Sequence, residues 1–81
     1  MLTNVCIMII DSFSNILREL RLSRKLSQEK LAELCDLDRT YISLLERGQR
    51  QPTLTTLFRL SKALNISASD FINRIEKENQ K

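Results

Sequence analysis

The chain has 81 residues, of which 42% are hydrophobic and 28% charged, and its formal net charge is +3. This length fits one small domain, and the balance is typical of a globular protein rather than a disordered one. The longest apolar run, residues 5–10, is far shorter than the roughly 18 residues that a membrane span needs. It also lacks the basic flank of a secretory signal, so we expect a cytoplasmic protein with no membrane partner.

Residue usage disfavours most enzyme classes. The chain has no His, which removes His-based acid–base catalysis, Ser–His triads and His-ligated metals. Its single Gly leaves no glycine-rich phosphate loop. The two cysteines, Cys6 and Cys35, lack metal-ligand spacing, and we expect both to be reduced and buried, Cys35 as a small apolar residue on a helix. We therefore expect no catalytic residue, no metal or other cofactor, and no small-molecule ligand.

Apolar residues recur at i, i+3 and i+4 along most of the chain, which predicts an all-α fold. The first helix is expected over residues 11–24, with Asp11 or Ser12 as its N-cap. The apolar segment 1–10 precedes it. This segment is expected either to extend the first helix or to lie in a dimer interface.

The second and third helices are expected to form a helix-turn-helix unit. The second begins after the N-cap Ser27 and ends near Cys35, with Leu31, Ala32 and Leu34 facing inward. The third runs from the N-cap Asp38 to Gly48, which suits the left-handed position after a helix. The link between the two helices is short, as in helix-turn-helix units.

Two more helices complete a compact five-helix bundle. Thr53 caps the fourth helix, which ends at Asn65, and Ser67 caps the fifth. After Ile75 the fifth helix is expected to fray into a short charged tail. The predicted organisation is thus an apolar extension over residues 1–10, a helix-turn-helix domain over residues 11–75 and a tail over residues 76–81.

The third helix divides into two faces. An apolar side can be buried, and the opposite side carries a short stripe that includes two guanidinium groups: Arg39, Thr40, Ser43, Leu44 and Arg47. Arg can bind guanine O6 and N7 in the major groove, Thr and Ser can bind several base edges, and Leu can contact a thymine methyl group. Taken alone, the stripe is also typical of an ordinary surface helix.

The start of the second helix adds a phosphate-binding feature. Gln28 lies in its first turn, where the side-chain amide and the free backbone N–H groups can hold a phosphate oxygen. Ala32 lies four residues further on, where two closely approaching helices need a small side chain.

These segments, in this order, resemble the Cro/repressor-type (Xre-type) helix-turn-helix family, which implies a lambda-repressor-like DNA-binding fold. The residues that carry the resemblance are 27–32, 37–43, 46–48, 52–54 and 63–67. The resemblance covers about residues 13–73. The block 37–43 and the small size look most like the controller proteins of restriction–modification systems. The chain departs from the family pattern at Lys25 and Asp36, where family members usually have Gly.

The resemblance implies a role for each matching position. The base-reading positions are Arg39, Thr40 and Ser43, flanked by Tyr41 and Leu44. The phosphate-binding positions are Gln28, Arg47, Gln49, Arg50 and Thr53. Arg21 and Glu46 match a buried ion pair between the first and third helices.

The resemblance also implies partners. Family members bind palindromic double-stranded DNA as symmetric dimers, so we expect an autoregulatory homodimer, with RNA polymerase as a further candidate partner. Phe58, Ile72 and Ile75 are the exposed apolar candidates for the dimer interface. One alternative is an antitoxin or another protein-interaction module built on the same fold, although the short tail weighs against it. An enzyme is the other alternative, and no nucleophile–base pair supports it.

Overall fold

The computed structural model describes the backbone of residues 2–80 and the side chains of residues 9–80. Over these residues it contains α1 (Leu2–Ser23), α2 (Gln28–Cys35), α3 (Arg39–Glu46), α4 (Leu54–Ala63) and α5 (Ala68–Asn79). The predicted all-α five-helix bundle is confirmed. Within the described range, none of the helices combines the length and the apolarity that crossing a membrane requires.

Side-chain caps fix the starts of three helices. The hydroxyl groups of Ser27, Thr53 and Ser67 accept hydrogen bonds from the backbone N–H three residues further on, as an N-cap does. Asp38 is the N-cap of α3, as predicted, but its side chain makes no capping hydrogen bond. The second, third, fourth and fifth helices therefore begin where the sequence predicts.

The first four helices end in the same backbone motif. Lys25, Asp36, Gly48 and Asn65 follow the helices with φ between 56° and 71°. The N–H of the next residue in each case donates to the carbonyl five residues back, and the N–H of the left-handed residue itself donates three residues back. This pair of bonds is the Schellman motif, and it satisfies carbonyls that the helix end leaves open. The left-handed position predicted for Gly48 is confirmed.

Both terminal helices are longer than predicted. α1 begins at Leu2, so neither Asp11 nor Ser12 is its N-cap, and segment 1–10 continues the helix apart from Met1, which lies outside the described residues. α5 continues to Asn79 instead of fraying after Ile75. Its last turn contacts α1, because Ser12 Oγ lies 3.4 Å from Asn79 Oδ1.

The core lies between α1, α5 and the helix-turn-helix unit. Its fully buried large side chains come from all five helices: Leu17, Leu20, Leu31, Ile42, Leu45, Leu60, Leu64 and Phe71. The rings of Phe13 and Phe71 stack with their centroids 5.8 Å apart, which joins α1 to α5. Leu34 was predicted to face inward, but its side chain is 52% exposed. An eight-residue α2 buries one narrow stripe, and Leu31, Ala32 and Cys35 already fill it.

Candidate nucleic-acid interface

The third helix presents the polar stripe on its open side. Ile42 and Leu45 are completely buried, which fixes α3 on the core. The stripe residues Arg39, Thr40 and Arg47 are exposed, while Ser43 and Leu44 are half-buried, as is Tyr41, which packs against the core. The predicted division of α3 into a buried and an open face is therefore present in the structure.

A buried ion pair holds the end of α3 against α1. The side chain of Glu46 is only 3% exposed, and its carboxylate receives two hydrogen bonds from the Arg21 guanidinium. One of these joins Arg21 Nη2 to Glu46 Oε1 at 3.0 Å. The hydrogen bonds to Glu46 raise the pKa of Arg21 above its ordinary value, outweighing the opposite effect of burial. Arg21 and Glu46 thus form the pair that the resemblance implies.

The first turn of α2 lies against the same carboxylate. Gln28 Nε2 donates to Glu46 Oε1 at 3.1 Å. The Ser27 hydroxyl accepts from the N–H of Lys30, so the N–H groups of Gln28 and Glu29 are those left without a partner inside the helix. Open N–H groups at a helix start favour an anion such as a phosphate oxygen.

The other predicted phosphate-binding residues follow α3 in the chain. Arg47, Gln49 and Arg50 are exposed, and the guanidinium groups of Arg47 and Arg50 contact only backbone carbonyls of their own segment among the described residues. Thr53 is different, because its hydroxyl is used in capping α4, where it bonds to both the N–H and the hydroxyl of Thr56.

Two further α1 residues support α3 and were not singled out in the sequence. The Ser14 hydroxyl lies 2.8 Å from the carbonyl oxygen of Leu45, and Arg18 Nη2 lies 3.0 Å from that of Glu46. Both carbonyls belong to the last turn of α3, where helix carbonyls need outside donors. Ser14, Arg18 and Arg21 occupy positions i, i+4 and i+7 of α1. That polar stripe beside the apolar one is the signal that could have identified them.

Two of the three predicted dimer-interface residues are exposed. Phe58 and Ile72 are 56% and 47% exposed, as predicted for interface candidates. Ile75 was predicted to be exposed, and this prediction is wrong: its side chain is 9% exposed because it turns towards the core. Ile72 and Ile75 also line a hollow of about 130 Å³ together with Ile9, Ile10 and Pro52.

The described residues offer little for metal or thiol chemistry. No group of three or more acidic or cysteine side chains that could hold a metal occurs among them. Cys35 is a buried free thiol, and burial raises its pKa to about 11. Because the thiolate is the reactive form, Cys35 is a structural residue at neutral pH. Cys6 lies outside the described side chains.

The chain has clear relatives among known proteins. A helix-turn-helix family model matches residues 17–71. Control protein C.BamHI of Bacillus amyloliquefaciens is 47% identical over 62 residues, which cover 75% of this chain and 76% of that protein. The crystal structure of the restriction–modification controller protein C.AhdI from Aeromonas hydrophila has a TM-score of 0.74 at 44% identity, covering 76% of this chain and 94% of that chain.

A second controller protein has been solved on DNA. The C.Esp1396I tetramer in complex with its natural 35-base-pair operator has a TM-score of 0.83 at 36% identity, and the match covers 90% of this chain and 96% of that chain. These relatives point to DNA binding, as do the open face of α3 and the anion-favouring start of α2. The chain belongs to the helix-turn-helix family of DNA-binding transcriptional regulators, in the group of the restriction–modification controller proteins.

Proposed function

We propose that this protein binds a palindromic operator as a homodimer and thereby controls a restriction–modification system, including its own gene. The observation that carries the proposal is the open face of α3, on which Arg39 and Thr40 are exposed while Ile42 and Leu45 anchor the helix. A helix held this firmly and open on one side can enter the major groove without rearrangement.

The α3 side chains divide the work of base recognition. Arg39 donates to guanine O6 and N7 in a bidentate contact, which is the commonest specific contact to DNA. Thr40 and Ser43 bond to neighbouring base edges, and Leu44 packs on a thymine methyl group. Tyr41 flanks these positions and packs against the core.

Contacts to the DNA backbone orient the reading helix. Gln28 and the start of α2 bind one phosphate, while Arg47, Gln49 and Arg50 bind phosphates at the other end of α3. Thr53 takes part through the backbone at the start of α4, since its hydroxyl is engaged in capping. Such contacts add affinity for any sequence and weaken as salt rises, because phosphate binding releases counterions.

The functional unit is a dimer. One α3 covers too few base pairs to define a unique site, whereas two related by a twofold axis double the sequence that is read. Phe58 and Ile72 provide exposed apolar surface for the contact, and Ile75 supports it from beneath. We expect the protein to act in the cytoplasm. RNA polymerase would be a further partner, which contacts the protein when both are bound at the promoter.

A gel-shift titration tests the proposal. The protein is titrated against the DNA upstream of its own gene and against a scrambled duplex of equal composition, at two salt concentrations. We expect cooperative, sequence-selective binding to the upstream DNA that persists at the higher salt. Weak and equal binding to both duplexes, lost at the higher salt, would contradict operator recognition and favour a protein-interaction module of the antitoxin type.

A further inference from the structure

The carboxylate of Glu46 joins three helices through one chain of hydrogen bonds. Its Oε1 accepts from Arg21 Nη2 at 3.0 Å and from Gln28 Nε2 at 3.1 Å, while Oε2 accepts from Arg21 Nε. Arg21 also donates from Nη1 to the Leu26 carbonyl at 2.8 Å, in the link before α2. The end of α3 is thereby connected to the start of α2 through side chains as well as through the turn between them.

The hydrogen-bonding chemistry of the Glu46 carboxylate fixes the orientation of Gln28. A carboxylate only accepts hydrogen bonds, so the amide nitrogen of Gln28 must face Glu46 and the amide oxygen must point away. One of the two N–H groups on Nε2 is used by Glu46, and the other stays available as a donor. This donor belongs to the same first turn as the open backbone N–H groups of Gln28 and Glu29.

We propose that Glu46 is a positioning residue for DNA-backbone binding, because it holds the Gln28 amide so that its remaining N–H meets a phosphate oxygen. The inference rests on the proposed function. Arg21 neutralises the carboxylate through its two hydrogen bonds, so the buried charge does not repel the phosphate. The contact also links the phosphate site on α2 to the reading face of α3, and backbone contacts of this kind set the register of base readout.

A double-mutant cycle tests the proposal. Glu46→Leu, which has no acceptor for the Gln28 amide, Gln28→Ala and the combined variant are compared by operator affinity at a temperature where every variant is folded. We expect Glu46→Leu to weaken binding about three- to tenfold in the parent protein, the range that one hydrogen bond supports. The same change should have less than about a twofold effect when Gln28→Ala is already present. Equal effects in both backgrounds would overturn the proposal.

A matched variant separates positioning from loss of stability. Glu46→Leu leaves Arg21 without its counter-charge, so the variant is less stable than the parent. Leu60→Ala lowers stability by opening a cavity around a completely buried α4 side chain, and it leaves the hydrogen bonds of Glu46 intact. Its folded fraction should bind the operator as the parent does. A comparable loss of affinity in Leu60→Ala would show that the Glu46 effect is one of stability.

The unaltered protein offers a second measurement. Side-chain amide protons of Gln28 should exchange with solvent more slowly than those of the exposed Gln51 in NMR spectra, because Gln28 is held by Glu46. Equal exchange rates would overturn the proposal without any variant. Failure of the proposed function can be told apart from failure of the role of Glu46. If the parent protein does not prefer operator over scrambled DNA, the proposed function is wrong. If it does, but the effects of the two substitutions simply add, only the role of Glu46 is wrong.

Discussion

Arg39 is the side chain on which we propose that base discrimination depends most directly. It is the first residue of α3, and its exposed guanidinium makes no hydrogen bond or ion pair among the described residues. All five of its N–H donors are therefore available to DNA. Gln28 differs, because its amide already donates to Glu46, and we propose a phosphate of the DNA backbone as its partner rather than a base.

Replacing Arg39 tests whether its side chain reads a base. We expect Arg39→Ala to cost about 1–3 kcal/mol of binding free energy and to relax the preference at a single base pair. Binding-site selection from a randomised duplex measures this preference. Gln28→Ala is the matched comparison, since loss of a phosphate contact weakens all sequences about equally. An unchanged sequence preference in Arg39→Ala would place the reading face elsewhere.

Cys35 makes stability depend on alkaline pH. Burial raises the pKa of its thiol to about 11. In the unfolded chain the thiol has its ordinary pKa of about 8.5, so between these two values the folded protein keeps a proton that the unfolded chain has lost. The unfolded state then binds fewer protons, so the free energy of unfolding falls as pH rises through this window. Urea unfolding between pH 7 and 10.5 measures the slope. Cys35→Ala should have a shallower slope, and equal slopes would contradict the assignment.

At the scale of the elements, the repeated helix ends carry unequal strain. Asn and Asp tolerate positive φ better than other non-glycine residues, and Gly has no restriction there. Lys25 adopts a φ of 57° without that advantage. It keeps this conformation because the N–H of Leu26 donates to the Arg21 carbonyl at 3.1 Å and Arg24 Nε donates to the Leu64 carbonyl at 2.8 Å.

Relieving this strain should stabilise the fold. A left-handed Lys costs about 1–2 kcal/mol, and the extra freedom of Gly in the unfolded chain offsets part of it. We therefore expect Lys25→Gly to raise the free energy of unfolding by about 0.5–1 kcal/mol, measured by urea denaturation. Asn65→Gly, at the equivalent end of α4, should change it by less. A loss of stability in Lys25→Gly would mean that the Lys side chain contributes more than its backbone costs.

The number of helices and the starts of α2 to α5 could be predicted from the sequence, because local signals determine them, whereas the start of α1 and the end of α5 could not. Ser27, Thr53 and Ser67 are strong N-caps, and apolar spacing marks the buried faces. The exceptions depend on tertiary contacts. Ile75 turns inward instead of outward, and the bond between Gln28 and Glu46 joins residues 18 positions apart on different helices. Periodicity within one helix carries no information about which neighbour it meets.

Among the residues whose side chains the structure describes, six large apolar side chains are exposed: Ile9, Leu22, Leu34, Leu54, Phe58 and Ile72. Phe58 on α4 and Ile72 on α5 belong to the proposed dimer interface, with the hollow beside Ile72 available to a partner side chain. Leu34 on α2 is exposed to a similar extent but lies beside Arg59 and Lys62 in an open cleft. We therefore expect substitution by Glu to have different effects at Ile72 and at Leu34.

A charge at Ile72 should separate the protomers. Ile72→Glu places two like charges near the twofold axis and removes apolar area, so we expect monomers where the parent is dimeric. Operator affinity should fall at least about tenfold, because each monomer then binds alone. Sedimentation velocity measures the assembly state. Leu34→Glu is the control and should remain dimeric, whereas a dimeric Ile72→Glu would exclude this face as the interface.

The four Schellman motifs have a consequence for how such a regulator acquires new targets. They fix the path of the chain through backbone hydrogen bonds, and the exposed side chains of α3 take no part in them. If Arg39, Thr40 and Ser43 read the bases as proposed, their exchange alters which DNA is bound while the chain still folds along the same path. Descendants of one gene can diverge in operator preference by a few substitutions and then coexist in a single cell without regulating each other's promoters.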